Sequence, residues 1–513
     1  MNLFLKVRPQ ATGMTMTGRV VRALALMVLL LSGPAGLPPL HGQVVPVKTV
    51  PVASGDQFLL FPSENLAMAE ISLSLPDTLG GGFVNPALAT RLPESFAFGS
   101  PTYYGISGDG GSGRALPLGT LFRSGHWVGG GAVAIQELKG AEQEGWPEWD
   151  WFSRRPQVLS EGSSRNLYAF GLLGRRFPEL GLTMGFSGLW GDLNALQGVD
   201  LLYAGSEGIV QSGNLSDLRF GLTKDWAGSR TLEFLVLKSR FRMRHEVTYL
   251  DWIWTPGAPG GESQGTWMRR EEVNLDHTDT WGVHLAYRRP LEAAGWRVAW
   301  SLTGNWKDHP KIPNYEIQNI PRDPGDTRAF SAGMGISRTE EPLRVAMEAF
   351  LEPIRSHTWA EAGSDTLSVD GSFLPKGAKT VDNEFEFTNV RVQMGASWRF
   401  SKATIRGGIQ LRSISYDLDQ YNFIETRRRT QEESWVEWTP SLGASLDLQG
   451  ARLHYAFLVT TGTGRPGVAW PPEILAVPTL DSGSNFLLAP QGALTLQEAR
   501  VATHQLSVVI PIR

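Results

Sequence analysis

Along most of the chain, hydrophobic and polar positions alternate with a period of two. In the segment 389–400, Val390, Val392, Met394, Ala396, Trp398 and Phe400 fall on one face. Asn389, Arg391, Gln393, Gly395, Ser397 and Arg399 fall on the other. Successive side chains of a β-strand point to opposite faces, so this segment has one apolar wall and one wet wall. Trp296, Val298, Trp300, Leu302 and Trp306 repeat the pattern against Arg297, Ser301, Thr303 and Asn305. Trp281, Val283, Leu285 and Tyr287 do so against Thr280, His284 and Arg288, and Leu506, Val508, Ile510 and Ile512 form the last apolar face. Sixteen strands are counted, the first near 94–104 and the last at 501–513.

Alternation alone also fits a soluble β-sandwich. The connections decide between the two. Short links (177–180, 226–229, 290–295, 339–342, 401–402 and 449–450) take turns with long polar ones (139–163, 191–213, 250–276, 307–326, 353–384, 418–433 and 462–500). A transmembrane barrel has tight turns on its periplasmic side and long loops outside, whereas Greek-key connections do not sort loops by length. Trp281, Trp296, Trp306 and Trp398 sit at or near strand ends on the apolar face, where amphipathic rings favour the lipid–water interface. The predicted fold is therefore an all-β, antiparallel transmembrane β-barrel over 94–513.

The N-terminal 42 residues read as a secretory signal peptide: Arg19 and Arg22 precede the apolar run from Ala23 to Leu31, followed by Gly33-Pro34. That run is too short to span a bilayer as a helix, and no later stretch is long enough, so any span must be β. The expected address is the cell outer membrane, reached through the periplasm.

Composition narrows the chemistry. The 513 residues contain no Cys, which removes disulfides, thiolate nucleophiles, Cys–zinc sites and iron–sulfur clusters. A formal charge of −4 supplies no basic face for nucleic acid. Glycine (58) and tryptophan (18) are both abundant, as girdled barrels require. The nine histidines are scattered without metal-ligand spacing, and the glycines of 108–113 lack the Lys-Ser/Thr of a phosphate loop. No enzyme, cofactor or metal site is expected. Arg427–Arg429, Arg269-Arg270, Arg242 and Arg244 are either solvated faces or contacts to lipopolysaccharide phosphates.

Ahead of the first strand come Asn65-Leu66-Ala67-Met68-Ala69-Glu70, then Asp77, then Phe83-Val84-Asn85-Pro86-Ala87-Leu88-Ala89. This run resembles the start of the outer-membrane FadL-type long-chain fatty-acid transporter superfamily, closest to its PorV-like branch. Gly80–Gly82, the Ala-Leu-Ala after the proline and a terminal Arg513 depart from the usual pattern. The resemblance implies that 43–93 is a plug (hatch) folded inside the lumen, with Asn85, Pro86 and Ala87 as its motif, and that fourteen strands are typical. It implies barrel-assembly machinery and membrane lipid as partners and a hydrophobic small molecule as ligand. It also implies a lateral exit at a kinked third strand, placed here at Gly129, Gly130 and Gly131. Glycines in a strand mark a bulge or a close backbone approach, so making room for the plug is the other reading.

Two functions follow as expectations: passive transport of hydrophobic compounds through a plugged lumen, or a PorV-like scaffold that docks a secretion system or surface cargo. An anion-tolerant porin comes third, because the plug opposes it. Arg297, Arg391, Arg399, Arg406 and Arg412 are expected to face the lumen and make it cationic, leaving at most a small apolar pocket near the plug.

Overall fold

The computed structural model describes residues 44–45, 48, 51–140, 164–199, 208–255, 264–308, 325–362, 364–466 and 496–512. The leader read at 1–42 and Arg513 lie outside them. The strands are β1 (Ser95–Gly99), β2 (Thr102–Ile106), β3 (Ser112–Ser124), β4 (Trp127–Lys139), β5 (Ser164–Phe177), β6 (Leu182–Leu193), β7 (Gly208–Trp226), β8 (Arg230–Thr255), β9 (Gln264–Pro290), β10 (Trp296–Asp308), β11 (Gly325–Glu340) and β12 (Leu343–Glu361). A small hairpin follows, β13 (Thr366–Leu367) and β14 (Phe373–Leu374). The set ends with β15 (Lys379–Phe400), β16 (Ala403–Asn422), β17 (Arg427–Leu448), β18 (Ala451–Pro466) and β19 (Leu496–Ile512).

All but the small hairpin form one antiparallel sheet that closes on itself. β1 and β2 both lie between β3 and β19 in a common register, so they are two pieces of one stave. Pro101, which has no N–H to give, interrupts that stave. The barrel therefore has the sixteen staves expected. Among the described residues no helix is long and apolar enough to cross a membrane.

The wall is turned inside out relative to a soluble barrel. Val133, Ile135, Leu173, Phe186, Leu302 and Met334 are exposed outside, while Gln136, Asn166, Ser187, Glu348, Asn389 and Gln393 are buried inside. On β10 the outward Trp296 and Trp306 bracket Val298, Trp300 and Leu302. Ten residues rise roughly 33 Å, which at a tilt of about 40° gives a belt ~25 Å tall, the height of a barrel's lipid-facing band. Trp306 stands directly opposite Trp281 on β9, so the two mark one edge together.

Beyond that edge the faces exchange roles. On β15 the inward residues are Phe385 and Phe387 and the outward ones Glu384 and Glu386. On β16 the inward ones are Ile414, Tyr416 and Leu418, against outward Asp417 and Asp419. On β8 the outward row runs Leu232, Phe234 and Val236, then Lys238, Arg240, Arg242 and Arg244. Water on both sides of the belt explains the swap: above it, the barrel buries apolar groups inside like any soluble sheet.

This swap corrects the loop reading. The link expected at 418–433 is a four-residue turn, because β16 runs to Asn422 and β17 starts at Arg427. The links at 250–276 and 353–384 likewise shrink, since β8 and β9 are 26 and 27 residues long and β12 runs to Glu361 while β15 starts at Lys379. These strands project well past the belt on the long-loop side.

Candidate functional site in the barrel lumen

Residues 51–94 touch the inward faces of strands on every side of the barrel, so the segment lies inside it. Three polar side chains of the quoted run organise its backbone. Asp77 Oδ1 accepts the N–H groups of Leu79 (2.8 Å) and Gly80 (2.7 Å), and its Oδ2 accepts Ser63 Oγ (2.5 Å) and the N–H of Glu64 (3.0 Å). Asn65 Nδ2 donates to the carbonyls of Ile71 (2.7 Å) and Leu75 (2.8 Å). Asn85 Oδ1 accepts the Ala87 N–H at 3.1 Å, capping the turn of Pro86–Arg91. These motif residues are scaffolding.

The wall meets the segment with glycine. Gly174, Gly185 and Gly221 are paired rungs of β5, β6 and β7. A β-carbon on Gly185 would stand 2.4 Å from the Pro86 carbonyl carbon, and one on Gly221 would stand 1.9 Å from Asn85 Oδ1. Across the lumen Gly395 and Gly408 are likewise paired, with added β-carbons 2.7 Å from Met68 O and 2.5 Å from Ala69 N. Side chains here would collide with the backbone they receive.

A polar belt holds the segment at mid-height. Gln393 Nε2 donates to Ala69 O at 2.5 Å, and the Ala69 N–H donates to Ser441 Oγ at 3.0 Å. Glu348 Oε1 accepts the Ser74 N–H at 2.6 Å, Asn389 donates to Lys48 O at 2.6 Å, and Lys48 pairs with Glu437 at 2.7 Å. Burial lowers the Lys48 amine to about 8 despite Glu437. Burial likewise raises the Glu70 carboxyl to about 7 against the pull of Arg391 and Arg412, and raises Asp56 well above the carboxylate range.

The five arginines part company. Arg391 and Arg412 meet over Glu352, at 3.0 and 3.8 Å, and Glu352 is fully buried. Arg406 lies 3.9 Å from Glu64. Arg399 sits at the short-turn rim beside Glu341 (3.9 Å) and Asp447 (3.6 Å), and Arg297 lines a cavity at that same rim. Beside the arginines expected to make much of the lumen cationic stand inward carboxylates, and Glu352 pairs with Arg391 and Arg412 at its centre. Glu348, Glu352 and Glu437 occupy the same parity as the buried amides, and that parity was the signal available.

Gly129–Gly131 form no bulge. Each is laddered to β3 and to β5 without a register shift. A β-carbon on Gly130 would stand 2.1 Å from Thr120 O and one on Gly131 2.9 Å from Phe170 O, so these two accommodate close strand packing, whereas Gly129 has room for one. Of the basic patches, Arg242, Arg244, Arg269 and Arg428 project outward beyond the apolar belt and are ion-paired, with Asp279 (2.5 Å), Glu246 (2.8 Å), Glu271 (3.3 Å) and Asp419, whereas Arg429 lies on the inward parity and donates to Gln431.

Apolar clusters fill the remaining lumen. Towards the long-loop end, Val45 of the N-terminal segment packs with Ala329, Ile354, Phe385, Phe387, Tyr416 and Leu418, against Trp435. Towards the short-turn end, Phe61 stacks on Phe83 at 4.4 Å, beside Phe98 and Phe170. Of the first cluster, Ile354 and Leu418 lie in the stretches read as loops, and Phe385, Phe387 and Tyr416 border them. Its alternation was present, on the opposite parity.

Fold and lumen define a sixteen-stave antiparallel β-barrel whose interior is occupied by its own N-terminal segment. No protein-family model and no curated protein matches the chain. Solved structures do. A FadL homologue of Pseudomonas aeruginosa is similar at 11% identity and a TM-score of 0.44, over 91% of this chain and 100% of that one. The Pseudomonas putida toluene transporter TodX is similar at 12% and 0.39, over 87% and 96%. The Ralstonia pickettii toluene transporter TbuX is similar at 12% and 0.37, over 89% and 100%. At such identities the likeness is one of barrel architecture.

Proposed function

We propose that this barrel sits in the outer membrane, short turns towards the periplasm, and passes hydrophobic compounds of the fatty-acid or hydrocarbon kind, with residues 43–93 acting as its plug. One observation carries the reading: the exchange of faces above the lipid belt. It gives the projecting part of the barrel an aromatic interior, Phe385, Phe387 and Tyr416, behind a charged exterior. An apolar solute leaving water gains about 25 cal/mol per Å² of surface buried there. The N-terminal segment, seated on glycine and held by hydrogen bonds and a few ion pairs, is the element whose displacement opens the path.

Uptake of a radiolabelled long-chain fatty acid by cells making the protein tests this. Uptake above that of cells lacking it, reduced at least tenfold by Phe385→Asn with Phe387→Asn, is expected. Equal uptake with and without the protein contradicts the reading.

The lateral exit at Gly129, Gly130 and Gly131 remains part of the proposal, as an opening of the β3–β4 ladder. Phe122 and Gly129 face each other across that ladder. Because the chain has no cysteine, Phe122→Cys with Gly129→Cys gives one lockable disulfide. Oxidation should stop uptake and reduction restore it, and unchanged uptake on oxidation removes the exit. A PorV-like docking role is favoured by a different observation, the wall of β8 and β9 projecting past the belt. Co-purification of secretion components would support it.

A further inference from the structure

A cavity of about 320 Å³ opens at the short-turn mouth, between the N-terminal segment and the ends of β5, β7, β8, β9 and β10. Its walls hold five guanidinium groups, those of Arg91, Arg176, Arg230, Arg288 and Arg297. Two carboxylates answer them. Asp225 takes Arg91 at 2.9 Å, while Glu233 takes Arg288 and lies 3.7 Å from Arg91. Arg288 is committed further, to the carbonyls of Leu73 and, at 3.1 Å, Ser72. Among the described residues Arg176, Arg230 and Arg297 have no carboxylate partner. Arg297 is half-buried, whereas Arg176 and Arg230 are exposed at the mouth.

Like charges gathered around one cavity repel, and an anion seated among them relieves that repulsion, most of all for Arg297. Guanidinium forks suit planar oxyanions, which they bind in pairs of parallel hydrogen bonds. The cavity is of ligand size, and its lining is polar, with Pro76, Ser229 and Thr231 beside the charges. It opens on the inner side of the wall, so it faces the aqueous mouth and not the headgroups around the barrel.

We infer that this pocket is a binding site for a small oxyanion, a phosphate or carboxylate, with Arg176 and Arg297 as its two free forks and Arg230 at its rim. The inference does not require the lumen to carry a hydrophobic solute.

Calorimetric titration of the full-length protein in detergent, at low ionic strength, with inorganic phosphate and separately with succinate tests it. Saturable binding of at least one probe is expected, weakened tenfold or more in both Arg297→Gln and Arg176→Gln, with their melting temperatures unchanged. The probe that binds distinguishes a phosphate from a carboxylate ligand. Absence of saturable binding by either probe, or binding that survives both substitutions unchanged, overturns the inference.

Discussion

Asn85 Oδ1 lies 1.9 Å from the point where a β-carbon on Gly221 would stand, while it accepts the Ala87 N–H at 3.1 Å. The cap of the N-terminal turn and the bare backbone of β7 are fitted to one another. Gly221→Ala must therefore push the turn away, at a cost of about 1–3 kcal/mol, the usual range for overpacking. Limited proteolysis should cut the variant within 51–94 and spare the wild type. Gly208→Ala, where nothing lies within 4 Å, serves as the neutral control.

Glu352 is the shared counterion of Arg391 and Arg412. Glu352→Gln leaves two cations at the centre of the lumen short of charge, and breaking such a buried pair costs about 3–5 kcal/mol. A clear fall in melting temperature in detergent is expected. Adding Arg412→Met to that variant should recover part of the loss, and the double-mutant cycle measures how much.

Glu70 gives the seating of the segment a pH dependence. Its carboxyl rises from 4.5 to about 7 through burial, so the folded state holds a proton that the unfolded chain has already released. Stability is then fully present below about 4.5 and declines as pH rises to about 7. Asp56, also raised by burial, acts in the same direction. Lys48, lowered to about 8, adds stability only above that pH and leaves the window clear. Melting temperature should fall by a few degrees between pH 5 and 7.5, and Glu70→Gln should flatten the slope.

The membrane-level half of the wall was legible in the sequence, and its projecting half was not. Val390, Met394 and Phe400 alternate against Asn389, Gln393 and Ser397 because lipid on one side and a wet lumen on the other impose opposite demands. Past the belt those demands reverse, so Phe387 follows on the parity that Asn389 held, and a reading that seeks one continuous apolar face ends the strand there. Arg391 and Arg412 share Glu352, which comes from another strand, and no local pattern pairs them. The mouth cavity is non-local in the same way. Arg91, Arg176 and Arg297 converge only because closure brings the short-turn ends of separate staves together.

The wall is closed, and its outer face is apolar at membrane height. Cysteine replacement, one position at a time from 389 to 400 in the cysteine-free chain, followed by spin labelling in reconstituted bilayers, tests it most directly. Oxygen accessibility should peak at every second position, with 390, 392, 394, 396 and 398 high and 391, 393 and 397 low, Gly395 being left unchanged because a side chain there meets Met68 O. Equal accessibility at neighbouring positions, or labels at 392 and 394 in contact with a water-soluble nickel reagent, would contradict it.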